Sequence, residues 1–547
     1  MRKLFAVLLV AATASANEVS YRSLQTGSPT GGTPLYDAGI HGEGQIVAVL
    51  DTGLDYTSCY FAEADGSRPP INTGTASGGF AWQNVDTSRR KVIAYDFLYS
   101  CDQFPNASGC DDPSKGLGAF DNQGHGTHAA ASIAADRDRI GEHDFADAIA
   151  PMAKLVIQDG GFTGGDNCSQ RPGFGCPVQI LPILDQAYKQ GARIHSNSWG
   201  DRQGVRSTQP SPTANYSQSA RDVDAFIYSH PDMLIVFNTG NWGGTTAPPQ
   251  STLSAPGCAK NTLQIGGTRD TTPDDDVIAS YTLFGPTRDG RIKPDLVGPS
   301  MVTAGDIDVD ENPNTCDVSR QQGTSWSSPS IAGAAALVRQ YYTDGFYPNG
   351  AKNAGTAMTP SAALMKATLI AAARPAHWRG ENRTKVPALP VPSYEQGWGF
   401  PVLDDALYLA GDTRKLRVED VALANGLAEG ESRTIRINAR VNTPLKVVLV
   451  WTDPAGVVRG TNDSTPELVN DLDLRVKSPD GTTLGNADHL NNVEVVSLEQ
   501  PSTGGYDITI SAQRIGQGPR QSYALVVTGD LQAAPAPAAS KGRAVRH

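Results

Sequence analysis

The sequence predicts an α/β domain, built on a mostly parallel sheet flanked by helices, followed by a small all-β sandwich or barrel. Three observations carry this. Short apolar runs rich in β-branched residues recur from about Gly44 onward, and each ends in polar residues or glycine. Stretches of helical periodicity lie between them. Near residue 411 this alternation stops and short runs of alternating hydrophobicity take over. Fully apolar strands separated by helices are the pattern of a sheet covered on both faces, whereas alternation and close turns indicate antiparallel strands with one solvated face.

Taken in order, the strand-like runs are QIVAVLD (45–51), AKLVIQD (153–159), ARIHSNS (192–198) and MLIVFNT (233–239). The helical stretches are 128–137, 178–191 and 219–230. In open sheets of this kind ligands bind beyond the carboxyl ends of the strands, so the polar residues ending these runs are where chemistry is expected. A further helix follows GTSWSSPS; Ile331, Ala335, Val338 and Tyr342 form one stripe of it and small residues the rest, which predicts burial on nearly all sides. Beyond 411 the runs 433–441, 445–453, 471–479, 506–514 and 523–531 are separated by turn signals such as Pro479-Asp480-Gly481. The resulting division is a leader at 1–16, a lead segment at 17–34, an α/β domain at 35–411, a β-domain at 412–531 and an Ala/Pro-rich disordered tail at 532–547.

The leader has Arg2 and Lys3, a short apolar stretch and Ala14-Ser15-Ala16, the pattern of a secretory signal peptide. A membrane anchor would need about 20 apolar residues. The chain is therefore expected outside the cell, with no membrane span. Its net charge of −12 argues against nucleic-acid partners, which are bound by neutralising phosphates. Seven cysteines in an exported chain suggest disulfides. Cys101 with Cys110 and Cys168 with Cys176 are expected as local bridges, Cys258 with Cys316 as a long-range one, leaving Cys59 over. Spacing alone does not settle such pairings.

Three motifs hold an acid, a base and a hydroxyl. VAVLDTGLD sets Asp51 at the end of a strand, DNQGHGTH sets His125 between glycines at a helix start, and GTSWSSPS sets Ser325 at the mouth of the buried helix. Each has a plain structural reading: a turn, a packed helix residue, an N-cap. Together they meet the needs of nucleophilic acyl transfer. A serine hydroxyl needs a base, neutral imidazole serves near neutral pH, and a buried carboxylate orients the imidazole. The helix dipole behind Ser325 favours a developing oxyanion. An aspartic protease would need a second Asp-Thr-Gly or Asp-Ser-Gly, which is absent. His125-x-x-His128 lacks the zinc-protease His-Glu-x-x-His pattern, so His128 reads as a packed residue and not a metal ligand.

In the order DTG, HGTH, GTSxSxP, over about 35–411, the chain resembles the subtilisin-like serine proteases, the subtilases. The resemblance implies a subtilisin-like fold and a serine endopeptidase with Asp51, His125 and Ser325 as its triad. NTGNWG (238–243) resembles the segment bearing the oxyanion-hole asparagine, which implies that role for Asn241. SNSWG (196–200) resembles the wall that pairs with substrate, implying Ser198, Trp199 and Gly200, with Gly240, as substrate-binding residues. VWTDP, LVNDLDLRV and NNVE resemble the β-domain of a subtilase subgroup. The implied partners are polypeptide substrates, met by a monomer. The chemistry needs no cofactor. Structural calcium could be held, and Asp471 and Asp473 could contribute to it, or could equally form a solvated strand face. Two departures from the family pattern are Val297-Gly298-Pro299 after Lys-Pro-Asp and Asn238 where a small residue is usual. A non-catalytic binding protein and an exopeptidase are the competing readings.

Overall fold

A computed structural model describes residues 17–73, 80–98, 121, 124–137, 146–160, 180–200, 214–242, 250–269, 276–307, 316–379, 385–460, 463–485 and 487–532. The leader, Cys101, Cys110, Cys168, Cys176 and the tail lie outside these residues.

An eight-stranded sheet organises the first part. Its strands are β1 (Ile46–Asp51), β2 (Ile71–Thr73), β3 (Val92–Phe97), β4 (Lys154–Asp159), β5 (Ile194–Asn197), β6 (Leu234–Asn238), β7 (Leu263–Thr268) and β8 (Leu296–Pro299), in the spatial order β2-β3-β4-β1-β5-β6-β7-β8. All seven pairings are parallel. The order reverses at β1, which lies between β4 and β5, so the crevice at its carboxyl end is the topological switch point. Helices cover both faces: α1 (Asn17–Thr26), α2 (Pro34–Asp37), α3 (His125–Ala134), α4 (Ile180–Lys189), α5 (Gln218–Ser229), α6 (Thr324–Thr343) and α7 (Ala362–Ala371). Helix α6 is buried along its length apart from Arg339 and Thr343, as its uncharged first turns predict. The segment 17–34 is part of this core: Leu24 is buried and the Asn17 side-chain amide donates to the Ala146 carbonyl at 2.9 Å.

Short pairs flank the sheet: β9 (Met301–Gly305) with β10 (Val318–Gln322), β11 (Ala373–Arg374) with β14 (Phe400–Pro401), and β12 (His377–Arg379) with β13 (Lys385–Ala388). The second part is an antiparallel sandwich. One sheet has β15 (Lys415–Val421), β22 (Tyr523–Gly529), β17 (Leu445–Val450) and β20 (Val493–Leu498); the other has β19 (Thr483–Leu484), β18 (Asn470–Lys477), β21 (Gly504–Ile515), β16 (Ser432–Ala439) and β23 (Leu531–Gln532). Val447, Leu449 and Trp451 face the sandwich interior, while Val448 and Val450 pack into the core of the first part, against α7 among others. This explains why VVLVW (447–451) is apolar throughout: this part of β17 is buried on both faces.

The contact between the two parts also carries charge. Lys260 Nζ, fully buried, pairs with Asp453 and donates to the carbonyls of Pro454 (2.6 Å) and Glu467 (2.8 Å). Asn261 and Asp453 exchange hydrogen bonds of 2.8 and 2.9 Å beside it. Among the described residues no helix is long and apolar enough to cross a membrane.

The cysteine expectation needs correction. Cys59 is bonded to Cys316, and Cys258 is a buried cysteine outside that bridge whose Sγ donates to the Asn215 carbonyl at 3.1 Å. The loop after β1 passes beside the start of β10, an approach between distant segments that cysteine spacing does not reveal.

Candidate active site

Asp51 ends β1, at the switch point. Its Oδ1 accepts from the Thr52 backbone N–H at 2.8 Å and from His125 Nδ1 at 2.6 Å. Asp51 is buried, whereas a third of the His125 side chain is open to solvent (33% exposed). Burial lowers the affinity of His125 for a proton, but the charge and hydrogen bond of Asp51 outweigh it, and the imidazole pKa is raised above its ordinary value.

His125 is the first residue of α3, and two features hold it there. Gly126 lies so close to the Asp-Thr-Gly turn that a Cβ would come within 2.1 Å of the Gly53 carbonyl oxygen, so only glycine fits. Asp121, which sequence reasoning did not single out, ties turn and helix together. Its Oδ1 accepts from Thr52 Oγ1 (2.9 Å) and Gly124 N (3.0 Å), and its Oδ2 from Thr127 N and Oγ1 (both 2.8 Å). An acid at a helix N-terminus is favoured by the unpaired N–H groups and the dipole. The signal in the sequence was an Asp four residues before the histidine.

Ser325 is the second residue of α6 and is 8% exposed. Its hydroxyl donates to the Ser198 carbonyl at 3.4 Å, while Ser198 Oγ donates to the Ser325 carbonyl at 2.7 Å. Pro329 explains the second bond. A helix normally satisfies the carbonyl of residue i with the N–H of residue i+4, and proline has none. The Ser325 carbonyl is thereby left for Ser198, and the segment carrying Ser198, Trp199 and Gly200 is fastened to the Ser325 turn. Trp199 Nε1 donates to Asn197 Oδ1 at 3.1 Å, and its ring meets Phe237 edge-on at 5.4 Å.

Asn241 Oδ1 accepts from Thr324 N (2.8 Å) and Thr324 Oγ1 (3.0 Å), which fixes the amide plane and turns Nδ2, the donor, the other way. Gly240 precedes it with φ +93°, a left-handed conformation suited to glycine. Asn238 is buried, with Nδ2 3.4 Å from Thr324 Oγ1. Trp326 links the His125 and Ser325 motifs: its ring centroid lies 4.8 Å from that of His125 and 4.3 Å from that of His128. His128 is a packed core residue, as expected. Its Nε2–H donates to the Ser319 carbonyl at 3.2 Å, and burial lowers its pKa to about 4, so it is neutral.

A parallel sheet with an Asp-His pair at the switch point, a serine at a buried helix mouth and an aimed asparagine amide is thus on hand. Residues 42–399 match the subtilase family. The chain belongs to that family. Similar proteins include the serine protease/ABC transporter B family proteins tagA (25% identical over 94% of this chain) and tagD (23% over 90%) of Dictyostelium discoideum, each matched over 32% of its own length. Subtilisin BL of Lederbergia lenta is 28% identical over 40% of this chain and 64% of its own. The chain thus spans about a third of the length of the Dictyostelium proteins. A serine protease of Aeromonas sobria aligns over 94% of this chain and 95% of its own, with 15% identity and a TM-score of 0.43. Asp51 ends β1, and Ser198 and Asn241 follow the carboxyl ends of β5 and β6. A separate cavity of about 850 Å³ lies between the two parts, lined by Arg374, Trp398, Lys446 and Glu494 among others.

Proposed function

We propose that this chain is a secreted serine endopeptidase that hydrolyses peptide bonds through an acyl-enzyme. The observation that carries the reading is the 2.6 Å Asp51–His125 contact at the end of β1, joined through the Trp326 ring to the Ser325 turn. Ser325 attacks the scissile carbonyl, and His125 takes its proton and returns it to the leaving amine. Asp51 holds the Nδ1–H tautomer and stabilises the imidazolium. Asn241 Nδ2 and the Ser325 backbone N–H receive the oxyanion. Water, activated by His125, then releases the acyl group. The extended segment 198–200 lies against the nucleophile turn, where a substrate backbone can pair with it. Family membership supports serine peptidase chemistry, and the Cys59–Cys316 disulfide supports an oxidising compartment, consistent with the leader.

The test uses purified chain with a protein substrate such as casein and a serine-directed inhibitor. Ser325→Ala is expected to abolish both hydrolysis and labelling, and Asn241→Ala to lower kcat by roughly 10²–10³ while the fold persists. Wild-type proteolysis by Ser325→Ala would refute the assignment, and release of single terminal residues from casein would replace endopeptidase by exopeptidase.

A further inference from the structure

We propose that the side chain of Ser254 closes the slot beside Ser325 that receives the substrate residue on the acyl side of the scissile bond, so that the chain cleaves after small residues: glycine, alanine and serine. The inference rests on the peptidase reading of Ser325 and names the substrate class of that site.

Two segments flank Ser325. One carries Ser198 and Gly200 and is tied to the Ser325 turn through Ser198 Oγ (2.7 Å to the Ser325 carbonyl). The other carries Gly240 and Asn241 and is tied to Thr324 through Asn241 Oδ1 (2.8 Å from the Thr324 N–H). A glycine in each segment leaves bare backbone facing the space between them. A residue whose carbonyl lies on Ser325 would place its side chain there. Ser254 already occupies the far end of that space. A Cβ on Gly200 would lie 2.5 Å from Ser254 Oγ and 2.7 Å from Ser254 Cβ. A Cβ on Gly240 would lie 3.6 Å from the same Oγ. One serine side chain thus stands between both glycines, and Gly200 has no room for a side chain of its own.

Ser254 is held in place from both sides of its backbone. Its N–H and its Oγ both donate to the Thr239 carbonyl, each at 3.1 Å. Its carbonyl accepts from Gln264 Nε2 at 3.1 Å, and the same amide donates to the Asn238 carbonyl at 3.3 Å. Gln264 is fully buried on β7. The floor is therefore fastened to the wall that carries Gly240. A branched or aromatic side chain could enter only by breaking these buried hydrogen bonds, which is costly. A misfit of a single methylene in a packed pocket already costs about 10-fold or more in kcat/KM.

The experiment uses the purified full chain and peptides that are identical except at the residue on the acyl side of the scissile bond, which is Gly, Ala, Ser, Val, Leu or Phe. Wild type is expected to give its highest kcat/KM with Ala or Ser, and a value at least about tenfold lower with Phe. Ser254→Gly opens the slot and is expected to raise the ratio of Phe to Ala cleavage at least about tenfold. Ser254→Ala keeps Cβ and loses only Oγ, so its ratio should lie between the two; it decides the matter should Ser254→Gly fail to fold. The proposal is overturned if wild type cleaves after Leu or Phe as fast as after Ala. It is equally overturned if the variants lose activity uniformly across the peptides with the ratio unchanged, the mark of a merely structural serine. Absence of cleavage of every peptide would overturn the peptidase reading and this inference together, whereas efficient cleavage after bulky residues overturns this inference alone.

Discussion

At the scale of single residues, the proposed reaction depends on where His125 keeps its proton. The imidazole must be neutral to act as a base, and Asp51 raises its pKa above the ordinary value of 6.5. Activity is therefore expected above the raised pKa and is expected to be lost as pH falls through it. The acid limb of kcat/KM is expected to have its midpoint above 6.5. Asp51→Asn removes the charge that raises it, so the limb should move to lower pH while kcat falls by roughly 10⁴. A pH–rate profile unchanged by this substitution would show that another group controls the limb. Trp326 acts differently. It offers no proton, but its ring abuts both His125 and His128 and restricts where the His125 imidazole can swing.

At the scale of elements, the proposed catalysis rests on how strand ends and helix starts are fastened together. Asp121 joins the β1 turn to the first turn of α3 through four hydrogen bonds from Thr52, Gly124 and Thr127. Hydrogen bonds to a charged, buried acceptor are strong, and leaving their donors unpaired is costly. Asp121→Ala is expected to destabilise the chain by about 3 kcal/mol in denaturant unfolding and to lower kcat with little change in KM. Asp121→Asn should recover part of both losses, because one amide oxygen can still accept from that cluster. Equal losses in the two variants would mean that charge, not hydrogen bonding, joins the elements. Helix α6 is fastened in a similar way: the N–H that Pro329 lacks leaves the Ser325 carbonyl to Ser198 Oγ, and so the Ser325 turn and the segment 198–200 share a bond.

At the scale of the whole molecule, the sandwich is joined to the α/β part by an apolar face and a buried ion pair. Val448, Val450, Val493, Ala524 and Val526 belong to the same core as α7, and Lys260 reaches across to Asp453. Removing one partner of a buried pair leaves the other charge uncompensated, at a cost of about 3–5 kcal/mol. Lys260→Met and Asp453→Asn should each lower stability by that order, measured from unfolding midpoints. The double variant should lose clearly less than the sum. Strict additivity would show that the two charges do not depend on each other. With such an interface, the sandwich is expected to unfold together with the α/β part.

The sequence by itself determined the fold class and the triad candidates. Strands buried on both faces must be apolar, so β1, β4, β5 and β6 were legible as runs, and the alternation of β18 and β21 marked the sandwich. Asp51, His125, Ser325 and Asn241 were singled out because each stands in a short motif that resembles a subtilase segment. The strands β7 and β8 were not, since Leu-Gln-Ile-Gly-Gly-Thr and Leu-Val-Gly-Pro carry glycines, a glutamine and a proline that weaken a strand signal. Tertiary structure alone decided what depends on distant segments meeting. It paired Cys59 with Cys316 across 257 residues and made Asp121 a clasp. It also buried part of β17 on both faces and folded His489 onto two aspartates of β18. A residue's local pattern reports which side of its own element is buried. Which other element covers that side is set by packing the whole chain.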